Sequence, residues 1–364
     1  MLTPRKKAII ALIVLAALFI CFSTIVFSYT DRPTLSAKSA FLYEPVTQTS
    51  VYEKNADVRL PMASTTKIVT ALVALENRNL SDTVRVRDEA LGIEGSSLYL
   101  KKGEILTVND LLIALMLRSA NDAAAALAYE IGGSIEGFAE LMNEKAESLG
   151  LSDTHFTNPH GLDDPEHYTT ARELAKISAV AMENPDFKRI VSTKKEIITN
   201  SDGEARLVVN HNKLLSLYDG AVGIKTGFTK KSGRCLVGAA EKDGISLIAV
   251  TIGAPDDWND HASLFDYGFS ILSKTEIIKS GDFSYEIPVI GNENTVTVRN
   301  AEAFSYILNK NASETKTVVL LPRYAIAPIK EGDKLGEIVI TLNEKEIGRI
   351  PLVASKNIDA NKRK

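Results

Sequence analysis

Leu60-Pro61-Met62-Ala63-Ser64-Thr65-Thr66-Lys67, opening the apolar run from Ile68 to Leu75, decides how this chain is read. A hydroxyl and an ammonium three residues apart at a helix start lie on one helix face, close enough to exchange a proton. The helix N-terminus adds unpaired backbone N–H groups and a partial positive charge beside that hydroxyl. Such a site activates a serine without a histidine. Taken alone, Ser64 is better read as a plain N-cap.

Two further segments change that reading. Arg118-Ser119-Ala120-Asn121-Asp122 supplies a second hydroxyl with an amide two residues on, and Lys225-Thr226-Gly227 follows Val222-Gly223-Ile224 as a short strand carrying a cation and a hydroxyl. Each segment means little by itself. In this order, 55 and then 106 residues apart, they are similar to the signature set of penicillin-binding proteins and class A β-lactamases.

The bulk properties fit a large extracytoplasmic protein. With 364 residues, 45% hydrophobic and 24% charged, the chain can bury a full core and still hold a second domain. A formal charge of −4 without a basic block in the body argues against nucleic acid as a partner. At the N-terminus, Arg5-Lys6-Lys7 precedes an uncharged stretch from Ala8 to Phe27. That length matches a bilayer core, with the basic flank on the cytoplasmic side. Residues 1–30 therefore read as a membrane anchor or a signal peptide. The stretch is long for a signal core and lacks an Ala-x-Ala site, which favours the uncleaved anchor. The two cysteines, Cys21 and Cys235, do not suggest a disulfide; Cys235 reads as a buried free thiol.

Organisation follows the hydrophobic periods. Residues 31–37 read as a linker. Ala40–Tyr43 and Thr49–Tyr52 read as a hairpin around Glu44-Pro45. Helical spacing runs from about Val108 to Gly150, interrupted at Gly132-Gly133, and a further helix spans Thr169 to Met182 with Thr169 or Thr170 as cap. Arg234–Ala240 and Ile245–Ile252, joined by Lys242-Asp243-Gly244, form a second hairpin, and a helix runs from about His261 to Leu272. Hairpins at both ends with helices between them imply an α+β fold, one mainly antiparallel sheet with a helical insert, over residues 38–278. Short strands separated by Gly, Pro and Asn then suggest a small all-β domain over 281–353, and 354–364 reads as a polar, solvated tail.

The motifs and their surroundings resemble the serine D-alanyl-D-alanine carboxypeptidases, the low-molecular-mass penicillin-binding proteins. His155-Phe156-Thr157-Asn158-Pro159-His160-Gly161-Leu162 and Asn210-His211-Asn212-Lys213-Leu214-Leu215 look like family segments, and Ala327 to Gly336 resembles the family's β-rich C-terminal domain. The resemblance implies a β-lactamase/DD-peptidase-like catalytic fold without metal or cofactor. It implies a cell-wall hydrolase that trims peptidoglycan stem peptides ending in D-Ala-D-Ala, with a bearing on cell shape, and that β-lactams acylate. By the same resemblance Ser64 is the nucleophile, Lys67 its base, Ser119 a proton relay and Asn121 a contact to the substrate amide. Lys225 and Thr226 hold the terminal carboxylate, Gly227 keeps the strand edge clear, and the backbone N–H groups of Ser64 and Phe228 form the oxyanion hole.

One condition is physical. A lysine of pKa about 10.4 costs about 4.6 kcal/mol to hold neutral at pH 7. Desolvation and the neighbouring Lys225 cation both favour the neutral form. Phe228 departs from the family's expected histidine or tyrosine, and no amphipathic helix follows Val353, so the N-terminal segment is expected to replace it. His211 and Arg234 are the candidates to assist Lys225 at the carboxylate. His155, His160 and His167 read as structural, Asp163-Asp164 as turn chemistry, and Trp258 as a loop residue. A serine β-lactamase and a non-hydrolytic peptidoglycan-binding protein are the competing functions. The first lacks its Glu-x-x-x-Asn loop here, and the second has no need of a nucleophile with its base.

Overall fold

The computed structural model describes residues 32–291, 295–310 and 314–360. The N-terminal segment, with Cys21, and the last four residues lie outside them. The chain opens with the expected hairpin of β1 (Ser39–Glu44) and β2 (Thr49–Lys54). A 3₁₀ turn over Ala63–Thr66 then runs into α1 (Lys67–Asn77). The β3 (Thr83–Arg85) and β4 (Ile105–Thr107) pair precedes α2 (Val108–Ile113), α3 (Asn121–Ile131) and α4 (Ile135–Ser148). Next come α5 (Ala171–Glu183), capped by Thr170, and α6 (Pro185–Ser192), capped by Asn184. A hairpin of β5 (Lys195–Thr199) and β6 (Ala205–Val209) and the short α7 (Leu214–Leu217) lead into β7 (Ala221–Thr229), β8 (Gly233–Lys242) and β9 (Ile245–Ile252). The long α8 (Asp257–Ile271) closes this part.

The central sheet has the order β2-β1-β9-β8-β7 and is antiparallel throughout. Strands from both ends of the catalytic region meet in it, as the hairpin-helices-hairpin pattern implied. Both faces are covered. Along β1, Phe41 enters the core shared with the helical insert while Leu42 enters the core under α8; along β8, Val237 and Leu236 divide in the same way. This follows from the period of two, which sends successive side chains to opposite faces. Strand β7 is left at the edge, free to border a cleft.

From β10 (Leu272–Ile278) the chain is all β. β10 pairs with β13 (Phe304–Asn309). A six-stranded sheet joins β11 (Ser284–Ile290), β12 (Thr295–Asn300), β14 (Thr315–Leu320), β15 (Ala325–Ile326), β16 (Lys334–Leu342) and β17 (Lys345–Ala354), in the order β14-β16-β17-β12-β11-β15. Alternating Ile287, Val289, Val296, Val298, Ile338, Ile340, Ile350 and Leu352 fill its core.

Three sequence expectations need correction. The linker expected over 31–37 is packed where it is described, from residue 32: Leu35 and Ala37 are buried, and Asp260 of α8 accepts hydrogen bonds from Ser36 N, Ser36 Oγ and Ala37 N at 2.9–3.0 Å. The polar tail does not begin at 354. Ile358 is buried and exchanges two 2.8 Å backbone hydrogen bonds with Ile329, so residues 355–358 belong to the β domain. Trp258 lies in the first turn of α8, because Asp257 and Asp260 favour a helix N-terminus there.

Candidate active site

The site is assembled where the 3₁₀ turn, the start of α3 and edge strand β7 converge on a cleft of about 640 Å³. Ser64, Ser119, Asn121, Thr226, Gly227 and Phe228 line it. Lys67 and Lys225 lie just beneath, each almost wholly buried. All eight residues singled out from the sequence are thus brought together.

Ser64 stands half-buried in the 3₁₀ turn, directly after Ala63, which is in the left-handed region at φ 49°. Gly161 backs that bend: a Cβ on it would meet the Ala63 carbonyl oxygen at 2.0 Å. Gly227 lies against the amides of Ser64 and Thr65, where a Cβ would come within 3.1 Å of both nitrogens. Its absent side chain therefore lets β7 press on the nucleophile's turn. Ser119 is also left-handed, at φ 63°, where a π turn over Ala114–Arg118 ends. Strained non-glycine backbone next to Ser64 and at Ser119 is typical of a functional site.

Lys67 Nζ is 3.1 Å from Ser64 Oγ, 2.7 Å from Asn121 Oδ1 and 2.5 Å from the His160 carbonyl oxygen. The last two can only accept. A neutral amine has two N–H bonds for them and one lone pair left, which faces the Ser64 hydroxyl. Burial, and then the Lys225 charge, hold Lys67 well below the ordinary lysine value, with Asp122 opposing. Burial also brings Lys225 down to about 7; its Nζ donates to the Thr226 carbonyl at 3.0 Å.

Second contacts hold these groups. Asn121 Nδ2 donates to the Glu94 carbonyl, so both ends of the amide are engaged. Asp122 is buried and accepts from Leu98 N, Leu100 N and Ser97 Oγ, pinning the loop that brings Gly95 and Ser96 to the cleft. His167 Nδ1 accepts from Thr157 N, leaving Nε2–H to donate to Thr66 Oγ1 at 2.7 Å, and Thr66 Oγ1 donates to the Ala63 carbonyl. Burial lowers His167 to about 4 and His160 to about 3, so both are neutral near pH 7. His167 thus braces the turn that carries Ser64, and His160 lines the cleft itself.

Asp163 accepts from Thr229 Oγ1 and Asp164 from Glu166 N, the latter a turn contact. The sequence reading passed over the His160 carbonyl, Glu94, Asp122 and the lip of Gly95 and Ser96. Only Asp122, two residues past Ala120 at a helix start, left a sequence signal. His211 and Arg234 both line the cleft. Arg234 lies opposite Phe228 in the β7–β8 register, pairs with Asp257 at 2.8 Å, and keeps a buried Nε–H without a partner.

A serine against a buried, neutral-leaning lysine, beside a second hydroxyl and an open strand edge, defines a serine acyl-transfer enzyme. The family model described as D-alanyl-D-alanine carboxypeptidase matches residues 27–256, and that described as Penicillin-binding protein 5, C-terminal domain, matches residues 272–360. The chain belongs to the D-alanyl-D-alanine carboxypeptidase family. It is 29% identical to D-alanyl-D-alanine carboxypeptidase DacF of Bacillus subtilis, over 97% of this chain and 95% of the relative. Escherichia coli DacC is 32% identical over 90% of this chain and 86% of its own. The crystal structure of penicillin binding protein 5 from Haemophilus influenzae superposes with a TM-score of 0.68 and 28% identity, covering 90% of this chain and 99% of that one. The activity is accordingly that of a serine D,D-carboxypeptidase of the cell wall, which acts on peptidoglycan peptides through an acyl-enzyme and binds β-lactams.

Proposed function

We propose that Ser64 is the nucleophile and Lys67 its general base, and that the stem pentapeptide loses its terminal D-Ala in this cleft. The observation that carries this is the placing of Lys67 Nζ, buried and 3.1 Å from Ser64 Oγ while Asn121 Oδ1 and the His160 carbonyl hold it from the other side. Ser64 Oγ attacks the penultimate D-Ala carbonyl while Lys67 takes the hydroxyl proton. Ser119, whose hydroxyl accepts no bond from a described residue, passes a proton to the leaving nitrogen. The backbone N–H groups of Ser64 and Phe228 serve the oxyanion; Phe228 needs only its main chain, which agrees with a side chain 65% exposed. Water then releases the acyl group.

The carboxylate of the terminal D-Ala goes to Thr226 and Lys225. Lys225 near pKa 7 becomes fully charged when that carboxylate arrives. Arg234, with its unpartnered Nε–H, assists. Asn121 orients Lys67 as well as meeting the substrate amide. Slow release of penicillin follows from the missing Glu-x-x-x-Asn loop: His155 to Leu162 stands in its place, and the His160 carbonyl holds the base. Residues 1–30 anchor this extracytoplasmic enzyme to the membrane, with a catalytic unit beginning near residue 32 and a β unit from Leu272.

D-Alanine release from a stem pentapeptide by the full chain and by Ser64→Ala tests the assignment. Release by the first alone is expected. Equal release by both would remove Ser64 from the mechanism.

A further inference from the structure

The segments on either side of the β5–β6 hairpin are one-sided in charge. Residues 187–195 and 205–218 contain no Asp or Glu, yet they hold Lys188, Arg189, Lys194, Lys195, Arg206 and Lys213, in a chain of net charge −4. Lys188, Arg189 and Arg206 are paired, with Glu241, Asp186 and Glu104. The other three border a groove of about 520 Å³ between the hairpin and α7. Each is exposed, and none makes a side-chain hydrogen bond or ion pair to another described residue.

Apolar surface collects at the same place. Val209 and Leu217 line the groove at 50% and 65% exposure. The cross-strand pair Ile197 and Leu207, on the same hairpin face as Val209, continues that surface. Glu196 belongs to the opposite face, where Ile198 and Val208 are buried, so it does not offset the lysines. Large aliphatic side chains left together in water with a charged rim mark a contact surface.

The floor adds a directed donor. Asn212 is 3% exposed, and its Oδ1 accepts from Leu214 N at 3.1 Å, which fixes the orientation of the amide. Its Nδ2 has no partner. A buried donor without an acceptor is unfavourable, and an oxygen entering the groove would satisfy this one.

These three features discriminate among anionic partners. A phosphodiester polymer would meet the lysines and leave the apolar walls wet. A flat anionic bilayer would meet the rim without reaching Asn212. An extended peptide with both carboxylates and aliphatic side chains uses all three, because its main-chain carbonyls supply the missing acceptor.

We propose that this groove docks an extended segment of a partner protein that carries both acidic and aliphatic side chains. The carboxylates meet Lys194, Lys195 and Lys213, the aliphatic groups lie on Val209 and Leu217, and a backbone carbonyl accepts from Asn212 Nδ2. Lys213 also borders the catalytic cleft, so a partner held here stands at its mouth.

The test uses the full chain with its cleft occupied by a penicillin, so that only sites outside the cleft are read. It is offered an array of end-capped nonapeptides built from glutamate and leucine in every arrangement. Two control arrays replace leucine by serine or glutamate by lysine. Binding is expected in the first array alone, and its best member is then titrated by fluorescence anisotropy. Lys194→Glu/Lys195→Glu should weaken that peptide on the order of tenfold. Leu217→Asn keeps every charge and should weaken it about threefold; it carries the test if the double variant fails to take up penicillin. Lys213 is left unchanged because it borders the cleft. No binding in the glutamate–leucine array would overturn the proposal, as would an affinity unchanged in the folded variants. Equal binding of the glutamate–serine array would also overturn it, by showing a surface that reads charge alone.

Discussion

The catalytic region buries charged and polar side chains within its apolar cores, and the C-terminal β domain buries almost none. In and beneath the cleft lie Lys67, Lys225, Asn121, Asp122, His160 and His167, all nearly inaccessible to water. Among the described residues from Leu272 onward, Asn300 is the single buried polar side chain, and the interior is Ile, Val, Leu and Ala. Charges of the β domain sit outside, as in the Arg349, Glu337 and Glu346 group. Burying a cation is costly unless its environment changes its chemistry. The catalytic region accepts that cost and obtains a neutral lysine; the β domain avoids it and obtains a conventional core.

That contrast can be broken or sharpened in order of size. Lys67→Met removes the base and should cut acylation by a penicillin on the order of 10²- to 10⁴-fold, read by stopped-flow mixing with a reporter β-lactam. It should also alter stability against pH. Lys67 and Lys225 bind fewer protons folded than unfolded between their lowered and ordinary values, so wild-type stability rises as pH climbs from about 7 to 10.5. Urea midpoints across that range should flatten in Lys67→Met and in Lys225→Met.

In the β domain the large effect is on folding alone. Ile338 is fully buried, and Ile338→Ala should cost about 2–5 kcal/mol of that domain's stability. The kcat/KM for a soluble pentapeptide should not change where the variant is still folded. A matching fall in kcat/KM would show that the two regions are coupled.

A smaller, graded difference is expected in acid. All five histidines lie in the catalytic region. Burial lowers His160 and His261 to about 3 and His167 to about 4. Unfolded histidines take up protons near pH 6.5 while these do not, so stability is full above that value and declines as pH falls toward 4. Hydrogen exchange at pH 5 should therefore report earlier opening around residues 155–170 and α8 than in β16 and β17. The smallest effect belongs to Arg349→Ala: an exposed ion pair contributes little, and the urea midpoint should stay in place. A clear drop there would mean that the β domain also depends on its charges.

Much of the site was legible because its chemistry is carried by short segments. Ser64 to Lys67 needs only helical spacing, and Lys225 to Gly227 only a strand. The sheet was legible for a similar reason, since β8 and β9 alternate around a plain turn. The supports were not. The His160 and Glu94 carbonyls act through the main chain, which any residue supplies. Ala63 and Ser119 adopt left-handed backbone without being glycine. The β5–β6 hairpin escaped detection because Ile197 and Leu207 face outward, so no buried period marks it. Leu35 and Ile358 are single apolar residues in polar segments, and only their docking partners, α8 and Ile329, reveal that they are packed.

The central claim is that burial beside Lys225 keeps Lys67 neutral against Ser64. The pH dependence of the second-order rate of acylation by a penicillin tests it most directly. The account predicts an acidic limb well below the ordinary lysine value of 10.5. A rate that keeps rising tenfold per pH unit up to about 10 would show an ordinary lysine, and would contradict it.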